Sequence, residues 1–312
     1  MSKKQTLLLS GLWFLASVAV FPGGVEAAPL PTPGMFAVSP TRNEIRLNPG
    51  ESTIKNIYIT NKLGRDADFK IEIEDISGTK NLSQVIAYYG TGLGPYSIKN
   101  YVIVNDSVVN VPAGGTKAIP IMISLPKNAK PGGFYGGVFF SVVNNAQTSG
   151  GAKIINRLGS LLFLRVKGEV MEKGEVKIFN IIGGRHYLFT NNPIDFQVVF
   201  ANTGNIYLNP YGVVEIKNAK GQVLENYTID PWFVFPDSER ARQIHWTHKF
   251  LVGRYTASLL LNVGYTENHT ETANWDFWII PWWIIVLAAV SVIFIIIVLF
   301  KMIAKFRNLT SG

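Results

Sequence analysis

Phe69-Lys70-Ile71-Glu72-Ile73-Glu74 alternates strictly, with Phe69, Ile71 and Ile73 on one side and Lys70, Glu72 and Glu74 on the other. Successive side chains of a strand point to opposite faces, so the stretch predicts a half-buried β-strand with a solvated carboxylate face. The same period recurs at Ile119, Ile121, Ile123 and Leu125, at Phe196, Val198 and Phe200, and at Tyr255, Ala257, Leu259, Leu261 and Val263. Turn formers separate these runs: Asn48-Pro49-Gly50, Pro112-Ala113-Gly114-Gly115, Asn202-Thr203-Gly204-Asn205 and Pro236-Asp237-Ser238. No helical period holds for long between residues 36 and 278. Short strands with regular turn signals predict an all-β body of sandwich type.

A faint internal repeat divides that body. Asn61, Pro112 and Gly133-Phe134-Tyr135 follow one another in the first half, and Asn202, Pro236 and Gly253-Arg254-Tyr255 in the second. The longer first interval places an insertion near 77–107. The reading is two tandem immunoglobulin-like β-sandwich modules, 36–170 and 174–278, with a polar break at Met171-Glu172-Lys173-Gly174 between them.

The ends read differently. Lys3 and Lys4 precede an apolar run from Leu7 to Phe21, and Val25-Glu26-Ala27 offers a small-x-small site. That is the pattern of a secretory signal peptide over 1–27, followed by a flexible lead-in over 28–35. Residues 279–300 carry no charge and predict a transmembrane helix. Trp275, Trp278, Trp282 and Trp283 crowd its leading edge, where amphipathic rings favour the headgroup layer. Lys301, Lys305 and Arg307 follow in a basic tail over 301–312, which by the positive-inside rule lies in the cytoplasm. The expectation is a single-pass protein of the cell membrane with its N-terminus outside and the lipid bilayer as one partner.

The 312-residue chain is 47% hydrophobic and only 16% charged, and it has no cysteine. Disulfides, thiolate metal sites and cysteine nucleophiles are therefore excluded. Residues 28–278 hold 24 basic and 20 acidic side chains, a balance of +4 with no basic run, which argues against nucleic acid as a partner. No catalytic constellation stands out. His245 and His248 fall on opposite strand faces, Asp66 and Asp68 are too few for calcium, and Gly90-Thr91-Gly92-Leu93-Gly94 lacks the helix and lysine of a phosphate loop. No metal, cofactor or enzymatic activity is expected.

Contact residues are the alternative. Tyr88, Tyr89, Tyr96 and Tyr101 lie in the insertion, and tyrosine combines rigid area with a hydroxyl suited to glycan or protein recognition. They serve equally as caps on the sandwich core. Phe134 and Tyr135 sit within Pro131-Gly132-Gly133-Phe134-Tyr135-Gly136-Gly137, either a binding lip or a glycine-lined strand start where two backbones pass closely. Trp232-Phe233-Val234-Phe235 reads as a buried strand or an exposed docking edge.

A leader, Leu47-Asn48-Pro49-Gly50-Glu51, Leu125-Pro126 and Pro131-Gly132-Gly133-Phe134-Tyr135-Gly136 together resemble bacterial WxL-interacting surface proteins. In that family a module called peptidoglycan-binding, a second called host-binding and a C-terminal membrane helix follow in order. The second half, with Glu215-Ile216-Lys217-Asn218 and Gly253-Arg254-Tyr255-Thr256-Ala257, is more similar to other membrane-anchored immunoglobulin-like bacterial proteins. The resemblance implies a membrane-anchored binding or scaffold protein of the bacterial envelope, with cell-wall polymer or surface and membrane proteins as partners. A pilus-chaperone-like assembly factor and an accessory subunit of a membrane complex are the alternatives.

Overall fold

The computed structural model describes residues 35–143, 147–149, 152–154, 156–188, 193–247 and 252–310. The leader and most of the lead-in lie outside them. The first half contains β1 (Met35–Ser39), β2 (Arg42–Leu47), β3 (Ser52–Lys62), β4 (Ala67–Gly78), β5 (Ile86–Tyr88), β6 (Val102–Ile103), β7 (Val108–Val111), β8 (Thr116–Ser124), β9 (Gly132–Val142), the small hairpin β10 (Gln147–Ser149) and β11 (Ala152–Ile154), and β12 (Arg157–Val166). The second contains β13 (Gly174–Ile181), β14 (Tyr187–Leu188), β15 (Ile194–Asn202), β16 (Tyr211–Asn218), β17 (Val223–Ile229), β18 (Ser238–Trp246), β19 (Gly253–Asn262) and β20 (Thr270–Ile279). One helix, α1 (Trp282–Thr310), follows.

Sheet β1-β3-β8-β6 packs on sheet β2-β12-β9-β4-β5, with β7 also on β4. Between them lie Phe36, Ile57, Ile59, Ile119, Ile121 and Ile123 from one side and Ile45, Phe69, Ile71, Phe140, Leu162 and Leu164 from the other. The chain changes sheets at Pro40: β1 is antiparallel to β3, while β2 runs parallel to β12. Sheet β13-β15-β18 faces sheet β14-β20-β19-β16-β17 around a second core built on Phe196, Phe200, Trp246, Leu259 and Phe277. The runs that alternate in the sequence are those whose apolar face is buried, each large side chain contributing roughly 1.5–3 kcal/mol.

The repeat asparagines have the same bonds in both halves. Asn61 donates to the Arg65 and Val111 carbonyls, each at 2.8 Å, and accepts from the Leu63 N–H. Asn202 donates to Ile206 and Val234, each at 2.8 Å, and accepts from Gly204 N–H. Each buried amide thus staples a strand end to the segment leading into the proline turn.

Two expectations are corrected. Glu74 leaves the solvated face assigned to it, being 4% exposed, because the Gly90 loop folds over it: it accepts from the Gly90 N–H and pairs with Arg157. The helix starts three residues later than the uncharged run, since Ile279 completes β20 and is fully buried, and Pro281 ends the ladder. Trp282–Ile303 is then apolar with Lys301 as its one charge, and none of its residues is buried. At 22 residues it is about 33 Å long, enough to cross a bilayer.

Candidate functional site: the seam between the two sandwiches

A third apolar cluster joins the halves. Tyr135 on β9 is 1% exposed and meets Phe163, Phe235, Tyr96 and Tyr207 edge-on, at centroid distances of 5.6, 4.9, 6.2 and 6.2 Å. Its hydroxyl accepts the Tyr207 N–H at 2.6 Å. Gly133 makes room for it, since a Cβ there would lie 1.8 Å from that oxygen. Burial pushes the Tyr135 phenol well above the ordinary tyrosine range. Tyr96 is raised too, first by desolvation and then by donating to Asp237 Oδ2 at 2.5 Å. The Tyr207 hydroxyl donates to Glu44 at 3.0 Å. Backbone bonds cross the seam from Gly133 N–H to Asn205 O and from Glu239 N–H to Thr79 O.

Beside the aromatics opens a polar cleft of about 340 Å³. Arg46 and Arg165 are register partners on β2 and β12, and their flanking residues Ile45, Leu47, Leu164 and Val166 face the core. Both guanidinium groups therefore leave the sheet on its cleft side. Arg165 lies 3.6 Å from Glu172, whose carboxylate also accepts from the Thr266 N–H and hydroxyl at 2.8 and 2.6 Å. Glu44 is taken by Arg42 and Tyr207. Among the described residues Arg46 has no ion pair, so the cleft presents an uncommitted cation beside a half-neutralised one.

The sequence candidates disperse into several environments. Tyr96 and Tyr135 meet at the seam, where Tyr135 has no surface to offer a ligand. Phe134 and Tyr101 pair at 4.9 Å and pack on the first core. Tyr89 shares a hydrogen bond with Ser77 at 3.0 Å, and only Tyr88 is well exposed, edge-on to Phe139. The segment 90–99 is tied down by Asp75, which accepts from the Gly94 and Ile98 N–H groups, and by Lys99, which donates to the Gly90 and Gly92 carbonyls. Asp66 and Asp68 accept from the Ala113 N–H and the Asn110 amide. Trp278, Trp282, Trp283 and Lys301 are exposed. Trp275 instead turns inward, partly buried on the second core and stacked on His186 at 4.2 Å, because it shares the inward face of β20 with Phe277 and Ile279. The side chains of Lys305 and Arg307 and residue His248 lie outside the described residues.

Sequence reasoning passed over Phe163, Tyr207 and the two arginines. One signal was present: Leu161-Leu162-Phe163-Leu164 is apolar without alternation, as a strand covered on both faces must be. Among the described residues no group of three or more His, Asp or Glu side chains gathers as a metal would need.

No family model and no curated protein matches the chain. Among solved structures it is similar to the class 5 fimbriae chaperone CfaA, at 14% identity and a TM-score of 0.39 over 79% of this chain and all of that one. It is also similar to a chain of the CsuC–CsuE chaperone–tip adhesion subunit complex of Acinetobacter baumannii, at 12% identity and 0.38 over 79% and 100%. The Pseudomonas aeruginosa CupB2 chaperone stands at 13% and 0.34 over 76% and 98%.

Proposed function

We propose that this chain is a membrane-anchored binding and scaffold protein of the bacterial cell envelope, holding two immunoglobulin-like modules outside the membrane to engage another surface component. The observation that carries the reading is α1, whose apolar stretch Trp282–Ile303 has no buried residue, following a β body with only two residues between. Binding rather than catalysis is the role we assign to the seam, because its tyrosines and carboxylates are bonded to one another across it while Arg46 is left open to a partner.

A second reading, an assembly factor that completes a partner's sheet, is favoured by a specific feature. β2 is the outer strand of its sheet and has a ladder partner only in β12. An extended segment added along β2 would pass Arg46 and the cleft it shares with Arg165, and two guanidinium groups suit a carboxylate. Cosedimentation with purified sacculi, protease-treated or untreated, separates the partners. Binding lost on protease treatment and weakened in Arg46→Glu is the expected result. Binding that survives both would make wall polymer the ligand, and no binding to either preparation would leave the accessory-subunit reading.

A further inference from the structure

The body and the helix are joined without slack. Ile279 ends β20 inside the second core, the Ile280 N–H donates to Leu188 O at 2.8 Å, and the Ile284 N–H already donates to Pro281 O at 3.0 Å. The sheet thus holds the start of α1 within about two residues, on the order of 7 Å of chain. Whatever surface surrounds that point must go where the helix goes.

That surface is the rim formed by the turn after β13, by β14 and by the β16–β17 turn. Tyr187 is in register with Trp278, and Asn218 lies opposite Tyr255, two residues from the Gly253 that faces Ile279. Tyr187 is 60% exposed and Trp278 43%, so two aromatic rings stand open beside the helix start. The carboxylates nearby are committed: Asp276 to Arg254 and Thr256, Asp195 to His245, and Glu225 to Tyr227 and the Trp246 indole. Arg185 and Lys220 make no ion pair among the described residues. Open aromatics with polar tips next to uncommitted cations are the chemistry that favours a phosphate-bearing interfacial layer.

We infer that this rim of the second sandwich rests on the phospholipid headgroup layer, so that the membrane orients the body as well as anchoring it. The inference rests on α1 spanning the bilayer, and the experiment separates the two. Because the chain has no cysteine, single-cysteine variants of the full protein can carry one environment-sensitive fluorophore each. Tyr187→Cys and Lys220→Cys report the rim, Ala113→Cys the far turn of the first sandwich, and Phe294→Cys the helix. The protein is reconstituted in vesicles of phosphatidylglycerol and phosphatidylethanolamine carrying nitroxide on the headgroup or within the acyl chain. Loss of most emission at 187 and 220 to headgroup nitroxide, with 113 unchanged, is the expected result. Unquenched labels at 187 and 220 with 294 quenched by acyl-chain nitroxide would overturn the inference and leave the anchor standing. A label at 294 that neither nitroxide quenches would remove the anchor, and the inference with it.

Discussion

Tyr135 concentrates the seam's energetics in one side chain. Its ring fills the space left by four aromatic neighbours, and its oxygen is the acceptor of the part-buried Tyr207 N–H. Tyr135→Phe keeps the ring and orphans the Tyr207 donor, at a cost of about 1–3 kcal/mol; urea unfolding reads the loss, and an unchanged midpoint would reject the bond's role. Burial of Tyr135, Tyr96 and Tyr207 raises each phenol above its unfolded value, so the stabilisation is complete below about pH 10 and is lost as pH rises toward the folded values. Stability against pH should therefore fall above that point, and fall less steeply in Tyr135→Phe. Tyr227, pushed up to about 12 by desolvation and its bond to Glu225, titrates in both proteins and cancels in the comparison. Parallel profiles would count against the account. The flanking glycines mark Tyr135 in the sequence, but its partners come from residues 163, 207 and 235, and no local pattern names them.

Strands were the legible elements, and the departures from their pattern have a physical cause. Alternation places Phe69 and Ile71 correctly because one face of β4 is core, then fails at Glu74 where the Gly90 loop covers the other face. The repeat asparagines show the reverse case, a polar residue legible by position but not by bonding. Asn61→Ala and Asn202→Ala each leave two carbonyls and one N–H without the amide's bonds. Each substitution should cost about 3 kcal/mol, toward the range for several unsatisfied buried groups. Thermal unfolding of both variants tests this, and a change under about 1 kcal/mol at either site would mean water replaces the amide.

At the scale of the whole molecule the seam decides how the sandwiches stand to one another. Gly78 lets β4 pass the second sandwich closely: a Cβ there would fall 2.4 Å from Ser238 and 2.9 Å from Phe235. Gly78→Leu should therefore wedge the halves apart while both cores survive. Small-angle scattering of detergent-solubilised protein should show a larger maximum dimension with the circular dichroism of the β body retained. An identical scattering profile would show that the seam yields by side-chain shifts alone. The Glu172 segment, which the sequence marks only as a polar break, is bonded to both sandwiches through Arg165 and Thr266 and braces the arrangement.

The sequence by itself determined the β body, its buried faces and the apolar helix, because strand and membrane periodicities are local properties that solvent enforces residue by residue. Tertiary structure alone decided the seam, the arginine pair and the rim around the helix start. Those sites join residues as distant as Glu44 and Tyr207, and only the register of β2 on β12 and of β14 on β20 brings such residues to one surface.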